Sequence, residues 1–113
     1  MKWLALHVGG QKWGVYVVQG TSRLLKSETG AQLSGCCYYD KCRIYISKDQ
    51  DEQAFEDTLI HELLHASLEV SGAGHVLAVY EDPTAAEEQL VRSLTPVLHR
   101  LLKDLGLRLP KRD

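Results

Sequence analysis

The sequence predicts a small α+β domain in which helices pack on a mostly antiparallel sheet. Three observations predict it. Residues Trp3–Val8, Lys12–Val18 and Cys36–Ser47 are rich in β-branched and aromatic side chains and are separated by turn-forming residues. From Asp49 to Val70 no Pro or Gly interrupts a run of apolar residues at helical spacing. A second apolar stripe runs from Leu90 to Leu105. Strands come first and helices follow, the order of an α+β fold. The 113 residues are expected to form one domain, 1–113, with a core of adequate but modest size.

Taken in order, Trp3–Val8 and Lys12–Val18 read as a hairpin turned at Gly9-Gly10-Gln11, with Trp3 and Trp13 packing on its core face. Residues 20–35 are polar and rich in Gly, Ser and Thr, hence a loop. Cys36–Ser47 reads as one or two strands around a turn at Asp40-Lys41. Ser47–Asp51 supplies N-cap candidates for the first long helix, which Ser71-Gly72-Ala73-Gly74 ends. His75–Asp82 is a partly extended connection. A second helix opens at Asp82-Pro83-Thr84 and ends at Gly106, with its leucines in the core. Pro96 should kink or split it, because proline removes a backbone hydrogen bond and clashes with the preceding turn.

Composition removes several classes of function. Thirteen Lys and Arg against fifteen Asp and Glu give a net charge of −2, so no basic field calls for nucleic acid. Lys103, Arg108, Lys111 and Arg112 read as a solvated tail. No stretch is long and apolar enough for a membrane span, and Trp3–Val8 is too short for a signal-peptide core. A cytoplasmic protein is expected, with a monomer favoured. The three cysteines, Cys36, Cys37 and Cys42, do not suit a disulfide framework. They lack the two-residue spacing of a structural metal site and read as small thiols in or beside strands. His7 and His99 have no motif partners and read as surface or strand residues.

His61-Glu62-Leu63-Leu64-His65 carries the chemistry. Two imidazoles four residues apart on a helix project from one face and can bind one Zn²⁺. The carboxylate between them can serve as base toward the water that such an ion activates. A catalytic site needs a third protein ligand. The metzincin continuation is absent, since Leu68 and Ser71 stand where it requires Gly and His. His75, Glu81, Asp82, Glu87 and Glu88 remain. A helical carboxylate is held more rigidly than a group on a glycine-rich loop. Thr84-x-x-Glu87 matches a capping box, which would occupy Glu87 and leave Glu88 free. Against this, Glu87 lies nearer the centre of the apolar stripe, where a carboxylate with no metal would be costly to bury. The preferred order is Glu88, then Glu87, then His75.

The HExxH motif, the following Gly-containing break and Glu88-x-x-Val91-x-x-Leu94 resemble the small HExxH proteins of bacteriophage and prophage genomes. These are similar in turn to minimal gluzincins and to SprT-like and IrrE-like metallopeptidases. The resemblance implies a zincin-like fold and zinc-dependent hydrolysis of a protein or peptide substrate, in the host cytoplasm if phage-encoded. His61, His65 and Glu88 would hold one Zn²⁺ and Glu62 would act as general base. SprT-like proteins use a later His followed by Gly, whereas His75 is followed by Val76. Tyr80, His75 and Tyr38 are candidates for stabilising an oxyanion, and Arg43–Ser47 is a candidate sheet edge for substrate backbone. The alternative function is a catalytically weak or inactive zinc-binding interaction module on the same fold. A weaker third reading is a structural zinc closed by His75 as well as Glu88.

Overall fold

A computed structural model describes residues 1–112. Strands β1 (Lys2–Val8) and β2 (Gln11–Val18) form the expected hairpin, antiparallel and turned at Gly9-Gly10. A loop containing a single 3-10 turn, Arg23–Leu25, leads to β3 (Gly35–Tyr38). A second 3-10 turn, Tyr39–Lys41, leads to β4 (Arg43–Ser47). The sheet is mixed, in the order β1-β2-β4-β3. The pairing β3–β4 is antiparallel, while β4 runs parallel to β2. The long loop and β3 together supply the crossover that a parallel pair requires.

This order corrects one expectation. Arg43–Ser47 is not a sheet edge, because β4 is paired on both sides. The edges are β1 and β3. Ser47 N–H donates to the Ser34 carbonyl at 2.9 Å, and the antiparallel alternation then turns the backbone groups of Gly35 and Cys37 toward the open edge.

Helix α1 (Glu52–Ser71) starts where Asp51 accepts a hydrogen bond from the Ala54 amide at 2.8 Å. It ends at Gly72, whose φ of +75° is left-handed and suits glycine. Phe55, Leu59 and Ala66 press onto Val8, Trp13, Val15, Ile44 and Ile46 to make the core. Period-two alternation puts Tyr38 and Tyr45 on the opposite face with Tyr16. Gly35 permits the close approach of α1 to β3. A Cβ there would stand 2.5 Å from Thr58 Cγ2 and 3.2 Å from Glu62 Cγ.

The rest of the chain departs from expectation in four places. The connection after α1 is not extended but contains a short helix, α2 (Gly74–Leu77). Helix α3 (Pro83–Asp104) runs unbroken through Pro96, which is exposed. Helix α3 packs chiefly on α1, so it covers one face only. Val91, Thr95 and His99 are buried there, one turn apart, whereas Leu90, Leu94, Val97, Leu101 and Leu105 stay exposed. The C-terminal segment is tied down in part. Trp3 Nε1 donates to the Lys111 carbonyl at 3.1 Å, and Arg112 lies 4.0 Å over the Phe55 ring. Among the described residues no helix is long and apolar enough to cross a membrane.

Candidate metal centre

Helical periodicity puts His61 and His65 on the side of α1 that faces α3, with their ring centroids 5.0 Å apart. Glu88 comes from the second turn of α3. Asp82, not Thr84, caps that helix, accepting from the Ala85 amide at 3.1 Å. The capping box that would have occupied Glu87 is therefore not formed, and both Glu87 and Glu88 reach α1. His61 Nε2 lies 2.7 Å from Glu88 Oε1, and His65 Nε2 stands 3.4 Å from the same oxygen. One atom from each of His61, His65 and Glu88 lies within 4.8 Å of the others, a grouping that can hold a metal ion.

Glu87 has a different task. His65 Nδ1–H donates to Glu87 Oε2 at 2.7 Å. That bond fixes the ring and leaves Nε2 for the shared focus with Glu88, the arrangement by which a carboxylate orients a metal-binding imidazole. The structure thus separates the two adjacent carboxylates by role. Arg92 lies 3.7 Å from Glu88 Oε1 on the exposed side. His75 is exposed on α2 and outside the grouping.

Glu62 is buried between α1 and β3. Burial pushes its carboxyl above the usual range, against the opposing pull of His61, a hydrogen bond from Cys37 and His65. In the structure the one S–H of Cys37 donates to the Glu62 backbone carbonyl at 3.2 Å. Burial first, and the Glu62 charge second, push the Cys37 thiol up, so it stays a neutral donor. Tyr39 was likewise not foreseen. Its ring meets Trp13 edge-on at 6.3 Å, and burial together with Cys37, Glu87, Glu62 and Glu69 pushes its phenol up. Tyr38 is turned away, its hydroxyl donating to the Leu24 carbonyl at 3.0 Å, and Tyr80 is exposed.

The signal for Cys37 and Gly35 was their two-residue spacing on a strand beside Ile44 and Ile46. The register that faces them to α1 was not readable. His99 was also misread. It is buried in α3, with Nε2 donating to Glu56 Oε1 at 2.7 Å and Nδ1 to Asp57 Oδ1 at 2.5 Å.

A cavity of about 890 Å³ opens elsewhere, between Trp3, Phe55, Leu102 and the C-terminal segment. None of His61, Glu62, His65 and Glu88 lines it. Compared with family models, curated proteins and solved structures, the chain matches none significantly.

Proposed function

We propose that this chain is a zinc-dependent metallopeptidase, with His61, His65 and Glu88 as ligands and Glu62 as general base. The convergence of two imidazole nitrogens and one carboxylate oxygen beside a buried glutamate carries this reading. The donor set suits Zn²⁺. Tetrahedral ligands with bonds of about 2.0–2.2 Å stand roughly 3.3 Å from one another. His65 Nε2 and Glu88 Oε1 are already 3.4 Å apart, and the 2.7 Å contact of His61 has only to open slightly.

Zinc, when bound, supplies a water of lowered pKa and polarises the scissile carbonyl. The chain's own residues do the rest. Glu62, held near β3 by Cys37 and by the space at Gly35, takes a proton from the attacking water and passes it to the leaving amine. Glu87 keeps His65 oriented. The open edge of β3, at Gly35 and Cys37, lies beside Glu62 and offers backbone groups for an extended peptide.

The test is zinc content together with cleavage of a diverse peptide library, for the parent and for Glu62→Gln. We expect about one zinc per chain in both. Turnover in the variant should fall by roughly 10²–10⁴-fold. Equal cleavage by Glu62→Gln would sink the mechanism. A zinc-binding interaction module is the second reading, favoured by one observation: the cavity of about 890 Å³ does not include the candidate site. Full zinc occupancy with no cleaved peptide would select it.

A further inference from the structure

We propose that the cavity of about 890 Å³ beside the C-terminal segment is a second binding site, which takes an aliphatic monocarboxylate. Its volume falls among small-molecule pockets, about 300–1,000 Å³. Three elements supply an apolar lining: Trp3 from β1, Phe55, Leu59, Ile60 and Leu63 from α1, and Leu102 from α3. Residues 106–112 form the remaining wall. Such a lining suits the body of an aliphatic ligand better than it suits water.

The head group follows from charge. Lys103, Arg108, Lys111 and Arg112, which read in the sequence as a solvated tail, all line the cavity. Among the described residues none of the four forms an ion pair. Two acids share the lining, Glu52 and Glu56. Glu56 is bonded to His99, and Glu52 stands in the first turn of α1, where the helix dipole favours a carboxylate. Cations are therefore in excess. Arg112 fixes where the head sits. Its guanidinium lies 4.0 Å over the Phe55 ring, and its Nη2 donates to the Gln50 carbonyl at 3.1 Å. Its Nη1 is enclosed and has no hydrogen-bond partner among the described residues. An enclosed charged donor without an acceptor is costly, and a carboxylate oxygen relieves that cost. Arg112 lies on coil beyond Leu107, so a local movement of this segment opens Nη1 to a ligand. Lys103, Arg108 and Lys111 are exposed and screened by solvent, so one negative charge at Arg112 suffices. His61, His65 and Glu88 are not in this lining, and ligand and metal should bind independently.

The test is isothermal titration of the full chain with decanoate up to about 1 mM. Decylamine, with the same chain and the opposite charge, is titrated beside it. We expect saturable binding of decanoate and none of decylamine. Arg112→Met keeps an apolar side chain and should weaken decanoate binding by about 10-fold or more, while Arg112→Lys, which keeps the charge, should recover part of that loss. Leu102→Trp fills the cavity from a half-buried position and should abolish binding. Circular dichroism checks that each variant folds as the parent does. A parent that shows no saturable binding of decanoate would overturn the proposal. Equal binding of decylamine would overturn it by removing the anionic head. Binding that survives Leu102→Trp would overturn it by placing the ligand elsewhere. A loss in Arg112→Met that Arg112→Lys leaves unrelieved would make Arg112 a structural tie and overturn its contact with the head group.

Discussion

Between α1 and α3 the chain builds two histidine–carboxylate clusters of nearly the same composition. Each draws on two consecutive acids, Glu87-Glu88 at one end and Glu56-Asp57 at the other. Consecutive residues diverge by about 100° around a helix, so a neighbouring pair of acids reaches two different atoms. At the first end those atoms belong to two imidazoles one turn apart. Glu88 meets both Nε2 atoms, and Glu87 takes the remaining Nδ1 of His65. A common focus results, with one outer support. At the second end both acids reach one ring, His99, from opposite sides. Its two nitrogens point apart, so no ion can be shared, and the cluster is a clamp between helices. Convergence, and not the count of ligating residues, distinguishes a metal centre from a structural ion cluster.

The comparison breaks most visibly on a pair of substitutions. Glu88→Ala removes the shared focus, and metal content should fall from about one per chain to background. His99→Ala should keep the metal and lose stability instead, since it leaves Glu56 and Asp57 without their partner. The cost should be about 1–3 kcal/mol, moderated by the partial exposure of both acids. Elemental analysis and thermal melts with and without added metal read both effects. Added metal should raise the melting temperature of the parent and of His99→Ala, but not of Glu88→Ala. Metal lost from His99→Ala would make the two clusters one unit and end the distinction.

Much of the first cluster was legible because its information is local. The HExxH spacing places both histidines and Glu62 by helical geometry alone, and the hairpin, the two strands around a turn at Asp40-Lys41 and a helix cap within Ser47–Asp51 follow from turn and capping chemistry. What was not legible depends on tertiary placement. The apolar stripe of α3 reads as core in any sequence, yet α3 rests on α1 alone and buries only the side through Val91, Thr95 and His99. The position of β4 between β2 and β3, and so the true edge of the sheet, depends on a crossover that no short-range signal encodes. Glu88 was favoured partly through a capping box that does not form. Asp82 wins the cap, as an aspartate directly before Pro83 at the first helical position can.

Glu87 sharpens the contrast from inside the first cluster. If it orients His65 and does not bind the ion, Glu87→Gln should weaken metal affinity by about 10–100-fold without abolishing it. Competition against a chromophoric chelator measures this directly. Glu88→Ala should remove binding altogether in the same assay. A loss as complete in Glu87→Gln as in Glu88→Ala would move Glu87 into the ligand set.

The smallest expected effect concerns Glu62, the carboxylate of this region that is buried without an imidazole hydrogen-bonded to it. Its raised proton affinity means that the folded, metal-free chain holds this proton more tightly than the unfolded chain does. The stability this supplies is fully present below the ordinary glutamate pKa and is lost as pH rises through the raised, folded value. Glu62→Gln does not ionise and should lack that decline. In chelator-treated protein the two melting curves should converge toward about pH 4 and separate by a few degrees near neutrality, with the variant the more stable. Parallel curves across that range would mean that solvent reaches the Glu62 carboxylate. The buried base would then lose the physical basis of its difference from the solvent-facing acids of the His99 clamp.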